Sequence, residues 1–150
     1  MSIAGRALIV ARVATTTPST SAPTFVHIGD GPVMSLEEHA GRTRLFELAT
    51  DELGSSGIVP MTLCTSTLWR EDLVLRVRYE AAGPIATGLD ATMRADARAI
   101  VASLRAGTWA PTLDLLQAGH AAARVEEYSG PDGEPLAKVI VIPVRIQFYE

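Results

Sequence analysis

The sequence predicts an α+β fold: an antiparallel or mixed β-sheet packed on one long amphipathic helix, with a second, short helix. Three observations carry that expectation. The run Ala137–Tyr149 alternates, with Ile140, Ile142, Val144, Ile146 and Phe148 on one face, which is the period of a strand with one side in the core. Leu89, Met93, Ala97, Ile100, Val101 and Leu104 recur at the spacing of a helix with one apolar stripe. Strand-like runs on either side of that helix are joined by short polar turns, as in hairpins. A sheet and a helix that each have one apolar side bury those sides against each other.

The chain has 150 residues, enough for a single domain with a real core, so residues 1–150 are read as one unit. Its net charge of -4 disfavours a dedicated nucleic-acid binder, which would be basic. The single cysteine, Cys64, excludes an intrachain disulfide and reads as a small strand hydrophobe. No apolar run reaches the roughly 18–20 residues of a membrane span. Arg6 and Arg12 interrupt Ile3–Val13 and make it a poor signal peptide, so a reducing cytoplasm, or an assembly built there, is expected.

Gly5–Ala14 fits a short amphipathic helix or a strand; Leu8, Ile9, Arg12 and Val13 suit helical spacing slightly better. Thr15–Thr24 (TTTPSTSAPT) has the composition of a loop and is expected to order only against a neighbour. Phe25–Ile28 is a short strand, and Ser35–His39 one helical turn with a capping-box pattern. Arg42–Leu48 reads as a strand with Arg44, Phe46 and Leu48 on one face, and Asp51–Gly57 as a flexible connection. Met61–Trp69 and Leu73–Tyr79 read as a hairpin around a polar turn at Arg70-Glu71-Asp72.

Thr87–Asp90 offers the N-cap of the long helix, Asp90, Arg94, Asp96, Arg98 and Arg105 cover its polar side, and Gly107 ends it. Trp109–Pro111 is a turn, and Thr112–Gly119 is the expected short helix. Arg124–Tyr128 is a strand, and Ser129–Pro135 turns it into the last one. Pro143 suggests that this last strand lies at an edge or carries a bulge.

The residues that could carry chemistry are scattered. His27, His39 and His120 have no second ligand at metal spacing, and the pairs Glu37-Glu38 and Glu126-Glu127 diverge on any regular backbone. Gly29-Asp30-Gly31 lacks the rest of a dinucleotide loop, and Ser55-Ser56 lacks the nucleophile-elbow pattern. What remains are interface candidates. Arg76 and Arg78 share one strand face, and Arg145 stands on the last strand; arginine pairs well with partner carboxylates. A solvated sheet face is the plain alternative. Trp69 and Trp109 lie near element ends, as core edges or as anchors in a neighbouring subunit.

Arg42–Leu48, containing Arg44-Leu45-Phe46-Glu47, resembles the Arg-x-Phe-Glu start of a strand in phage tail-terminator proteins, the minor tail protein U-like tail-completion family. Leu73–Tyr79 resembles their central strand, Asp90–Leu104 their single long helix and Val139–Tyr149 their closing strand. The likeness runs from about Gly41 to Glu150 and is a pattern of strands and one helix. It implies a structural virion protein, not an enzyme, that forms a homohexameric ring on the head-proximal end of the tail tube. The ring stops tube polymerisation and presents a surface to the head–tail connector or neck protein. Viral DNA passes through the lumen without specific binding, which suits an acidic chain because phosphate contacts need Lys and Arg. The resemblance implies no catalytic residue, cofactor, metal or membrane partner, and places the protein in the tail-neck region of a virion assembled in the host cytoplasm. Three alternatives stand beside it: another neck, head-completion or adaptor protein; an accessory protein of a contractile injection system; and a small α+β ligand-binding domain or enzyme. The last predicts a concave pocket with converging polar groups.

Overall fold

The computed structural model describes residues 3–20, 23–28, 42–51, 57–59, 68–81, 88–106, 109, 113–118 and 124–149. In chain order they form α1 (Ile3–Ala14), β1 (Val26–His27), β2 (Leu45–Thr50), β3 (Gly57–Val59), β4 (Leu68–Glu80), α2 (Leu89–Arg105), β5 (Leu113–Ala118), β6 (Arg124–Ser129) and β7 (Pro135–Tyr149). The fold is α+β. The sheet runs β1-β2-β4-β7-β5, with β3 also paired to β4 and β6 also paired to β7. β1 is parallel to β2 and every other pairing is antiparallel, so the sheet is mixed.

The two long strands, β4 and β7, form the spine, paired from Leu68↔Tyr149 to Glu80↔Ala137. Their alternation sets the core: Leu73, Leu75, Val77 and Tyr79 lie beside Ile140, Ile142, Val144 and Ile146, and all are buried. The α2 stripe of Leu89, Met93, Ala97, Ile100, Val101 and Leu104 packs on this face, as its spacing predicts. Ile9 and Val13 of α1 join the same cluster, so both helices cover one side of the sheet. The opposite side has a smaller apolar patch of Leu45, Val74, Val139 and Val141, flanked by Ile28 and Tyr128. Among the described residues no helix lies on it.

The β6–β7 hairpin and its turn form as expected. Gly130 N–H donates to Glu134 O at 2.8 Å and Gly133 N–H to Gly130 O at 3.0 Å, with Gly133 at φ 79. That positive φ is open to glycine without steric cost.

Four expectations are corrected. The hairpin around Arg70-Glu71-Asp72 does not exist: residues 68–80 are one strand, and β4 instead pairs with β3 at Gly57↔Arg70. The three polar residues stay in the strand because each finds a partner, Arg70 and Asp72 across the ladder in Gln147 and Arg145 and Glu71 in Arg6 of α1. The short helix is α1 and not Thr112–Gly119, where β5 pairs with β7 from Leu113↔Phe148 to Ala118↔Val144. A six-residue apolar run such as LDLLQA carries too little periodicity to separate the two states, and β7 supplies the ladder that decides. β7 is not an edge strand; its β6 partners reach Val141 and its β5 partners begin at Val144. Pro143 falls in the gap between them, which is why a missing donor is tolerated in mid-sheet.

The fourth correction concerns α2. Its Asp96 is fully buried and does not belong to the polar side. Gly88, at φ 69, sits at the N-cap with no side-chain cap bond, and Ala106 at the C-cap is extended. The expected helical turn at Ser35–His39, the linker core at 52–56, most of Met61–Trp69, and Gly83, Pro84, Thr87 and Gly107 lie outside the described residues.

Ile142 is 0% exposed at the centre of the spine. Ile142→Ala is expected to cost about 2–5 kcal/mol in chemical denaturation. Val125→Ala, at a position 50% exposed, is expected to stay within about 0.5 kcal/mol of the native chain.

Candidate interaction surfaces

A buried polar knot fixes the scaffold. Arg44 and Asp96 are both 0% exposed. Arg44 Nε donates to Asp96 Oδ2 at 2.8 Å and Nη2 to Oδ1 at 3.3 Å. The remaining guanidinium hydrogens go to Thr20 Oγ1 at 2.7 Å, Pro23 O at 2.9 Å and Thr20 O at 3.4 Å. Asp96 also accepts from Tyr79 Oη at 2.7 Å and Ser19 N–H at 2.8 Å. One ion pair thus ties α2, β4, the start of β2 and the Thr15–Thr24 loop together. The described part of that loop is held within its own chain, contrary to the expectation that it orders only against a neighbour. Arg44 itself sits at φ 57, a left-handed backbone that a non-glycine residue rarely adopts and that costs about 1–2 kcal/mol. Burial pushes the Tyr79 hydroxyl well above its ordinary pKa, with Asp96 adding to the effect, so Tyr79 stays a donor. Burial alone would raise the Asp96 pKa, but the bonds from Arg44, Tyr79 and Ser19 outweigh it and hold the carboxyl below its ordinary value.

Two further contacts seat α1. Arg6 Nη2 reaches Glu71 Oε1 at 3.0 Å and Thr50 Oγ1 at 2.6 Å. The Arg12 guanidinium lies 3.5 Å from the centre of the Trp109 ring. Trp109 Nε1 donates to Leu104 O at 3.1 Å, and the ring packs against the main core. This tryptophan therefore works inside the protomer, joining α1 to the end of α2. Trp69 lies in β4 opposite Ile58 and Phe148; its side chain is not among those described.

The helix-free sheet face carries the three arginine candidates, and each already holds an acid. Arg76 pairs with Glu47 directly across the β2–β4 ladder at 3.4 Å. Arg145 makes a two-pronged bond to Asp72 across β4–β7, at 2.5 and 3.0 Å. That fork raises the Arg145 pKa further. Arg78 is 1% exposed and pairs with Glu80 at 3.0 Å, while its Nε and Nη1 have no partner. Arg76 and Arg78 do share a face, as predicted, but Arg78 is not solvated. Sequence reading missed Glu47, Asp72 and Glu80 as the partners. Placing Asp72 in a turn removed it from the face where register sets it against Arg145. At the β6 margin, Tyr128 Oη donates to Glu126 at 2.8 Å; burial and that bond push its pKa up to about 12.

The other face offers a cleft of about 480 Å³ between α2, β6 and the nearer part of β7. Met93, Ala97, Val125 and Ile140 form its apolar floor, and Arg94 and Arg98 stand along the helical side. At the opposite end Lys138 binds Asp90 at 3.0 Å and Glu127 at 3.3 Å, which raises the Lys138 pKa. Among the described residues no group of three or more His, Cys, Asp or Glu is placed to hold a metal, and no helix is long and apolar enough to cross a membrane. His27 stacks against Phe46 at 5.2 Å; His39, His120 and Cys64 lie outside the described residues. Compared with known protein families and with curated proteins, the chain matches none.

The knot makes a signed pH prediction. A carboxyl whose folded pKa is depressed contributes stability that is complete above its unfolded value and lost as pH falls through the folded one. Stability is therefore expected to fall from about pH 4 downward. Asp96→Asn is expected to flatten this acid loss. At pH 7 the same variant strands Arg44 and costs about 3–5 kcal/mol, read by urea denaturation at both pH values.

Proposed function

We propose that the chain is a structural virion protein whose copies form a homohexameric ring, closing the end of a phage tail tube and joining it to the head–tail connector. The observation that supports this reading best is the one-sided protomer. Both helices cover one sheet face, while the other face and the outer edge of β6 are free of described elements. Such a unit has distinct surfaces to offer to a neighbour, to a tube end and to a connector, as a closed ring of heterologous contacts requires. The strand and helix pattern that resembles tail terminators falls on β2, β4, α2 and β7, the elements of the spine and its cover.

The ring works by shape. The self-paired charges of the helix-free face leave little free positive charge there for DNA phosphates. The solution mass of the full-length chain across a concentration series, with electron micrographs of the chain mixed with tail tubes, tests the reading. Hexameric rings that cap tubes are expected. A chain that stays monomeric at high concentration and leaves tubes uncapped refutes it.

The cleft supports a second reading, a small α+β ligand-binding domain, because it is concave and flanked by cations. That reading expects a saturable rise in melting temperature with a small apolar anion on a monomer, abolished by Arg94→Ala with Arg98→Ala.

A further inference from the structure

We propose that the cleft between α2 and β6 is a socket for the β6–β7 turn of a second copy of this chain. The proposal rests on the ring reading and names the contact that would build the ring. It starts from the charges that the protomer does not neutralise. Among acids with described side chains, Asp132 and Glu134 have neither an ion pair nor a side-chain hydrogen bond, and both are exposed on the turn. Arg94 and Arg98 are exposed on α2, likewise without a partner, and both line the cleft. Asp90 and Glu127 share the one Lys138, and Arg124, which also lines the cleft, pairs with Glu126. The Arg94–Arg98 side of the cleft is left positive, and the turn carries two free negative charges.

Shape agrees with charge. The turn projects beyond the last sheet pairs as Gly130-Pro131-Asp132-Gly133-Glu134, with Pro131 and Pro135 exposed beside the acids. The cleft has an apolar floor for those prolines, to which the half-exposed Val125 contributes. Within one protomer, ladder pairs Glu127↔Lys138 and Tyr128↔Ala137 place the turn beyond the Lys138 end of the cleft, after a register shift between Tyr128 and Ser129. Plug and socket are different patches of one chain, so on the ring reading each copy gives its turn to one neighbour and its cleft to the other, head to tail. Contacts of that kind close into a ring when the rotation between copies allows.

The test uses the full chain and two double variants, R94E/R98E and D132K/E134K, each checked by circular dichroism and melting temperature. All four positions are exposed. Each variant alone is expected to fall to monomer at concentrations where the native chain is assembled. Their equimolar mixture is expected to reassemble with the two alternating, because each restores an opposite-charge contact. Val125→Arg, which fills the floor, is expected to weaken assembly while leaving melting nearly unchanged, and added salt is expected to weaken the native assembly. R94E/R98E assembling like the native chain overturns the socket, leaves the ring reading standing and assigns the cleft to another protein or a small ligand. Loss of assembly in both variants with no recovery on mixing overturns the pairing of turn with cleft. A native chain that is monomeric at every concentration overturns the ring reading itself, and the socket with it.

Discussion

A guanidinium with no exposed surface must be neutralised where it lies, and the rest of the fold is arranged around how Arg44 meets that demand. Asp96 approaches from α2, and Thr20 and Pro23 from the loop after α1, while Tyr79 of β4 and Ser19 of the loop donate to Asp96 in turn. Each partner fixes an element that hydrophobic packing alone would leave free to slide. Apolar contact between α2 and the sheet tolerates small shifts along the helix axis, whereas a forked bond at 2.8 and 3.3 Å does not. Such a pair need not add net stability over an apolar replacement. Its contribution here is position: it sets the height of α2 over β4 and brings a polar loop down onto the core edge.

The parts of this arrangement that were legible in the sequence follow one rule. Where a single period runs for many residues, as in Leu89–Leu104 or Ala137–Tyr149, the buried face could be named residue by residue. The Ser129–Pro135 turn was equally plain, because Gly and Pro there leave little choice of backbone. The errors fell where a long-range partner changes the meaning of a polar residue. Asp96 stands seven residues after Leu89, three after Met93 and four before Ile100, at the margin of the apolar stripe of α2; only its charge assigns it to solvent, and nothing local shows that Arg44 lies beneath it. Arg70-Glu71-Asp72 looks like a turn because three consecutive charged residues rarely continue a strand. They continue this one because Gln147, Arg6 and Arg145 come from distant parts of the chain. LDLLQA failed for another reason, being too short to display a period at all.

The same logic limits what the arginines of the sheet can do. Free guanidinium groups on an exposed face suggest partner carboxylates, and the sequence shows Arg76, Arg78 and Arg145 without their partners. In the fold each is matched by Glu47, Glu80 or Asp72. A subunit that docked there would meet guanidinium groups whose charge an acid already balances, so each new ion pair would gain less than one made to a free arginine. Trp109 is removed from the candidates in a similar way, since its ring faces Arg12 and its N–H is taken by Leu104.

Charge left unpaired is then a better guide to association than charge that is merely present. A protomer that neutralises most of its side chains internally directs its remaining attraction through the few that it leaves over. On the described surface these include Arg94 and Arg98 on one side and Asp132 and Glu134 on another, separated by the length of β6. Two complementary patches on different faces of one chain can dock reciprocally in a two-fold dimer or head to tail in a longer series, and the angle between the patches decides which geometry is open. If copies dock through these patches, the angle between them decides whether growth ends in a ring or a filament. In the protomer that angle depends on how the β6–β7 hairpin leaves the sheet and on where the buried Arg44–Asp96 pair holds α2.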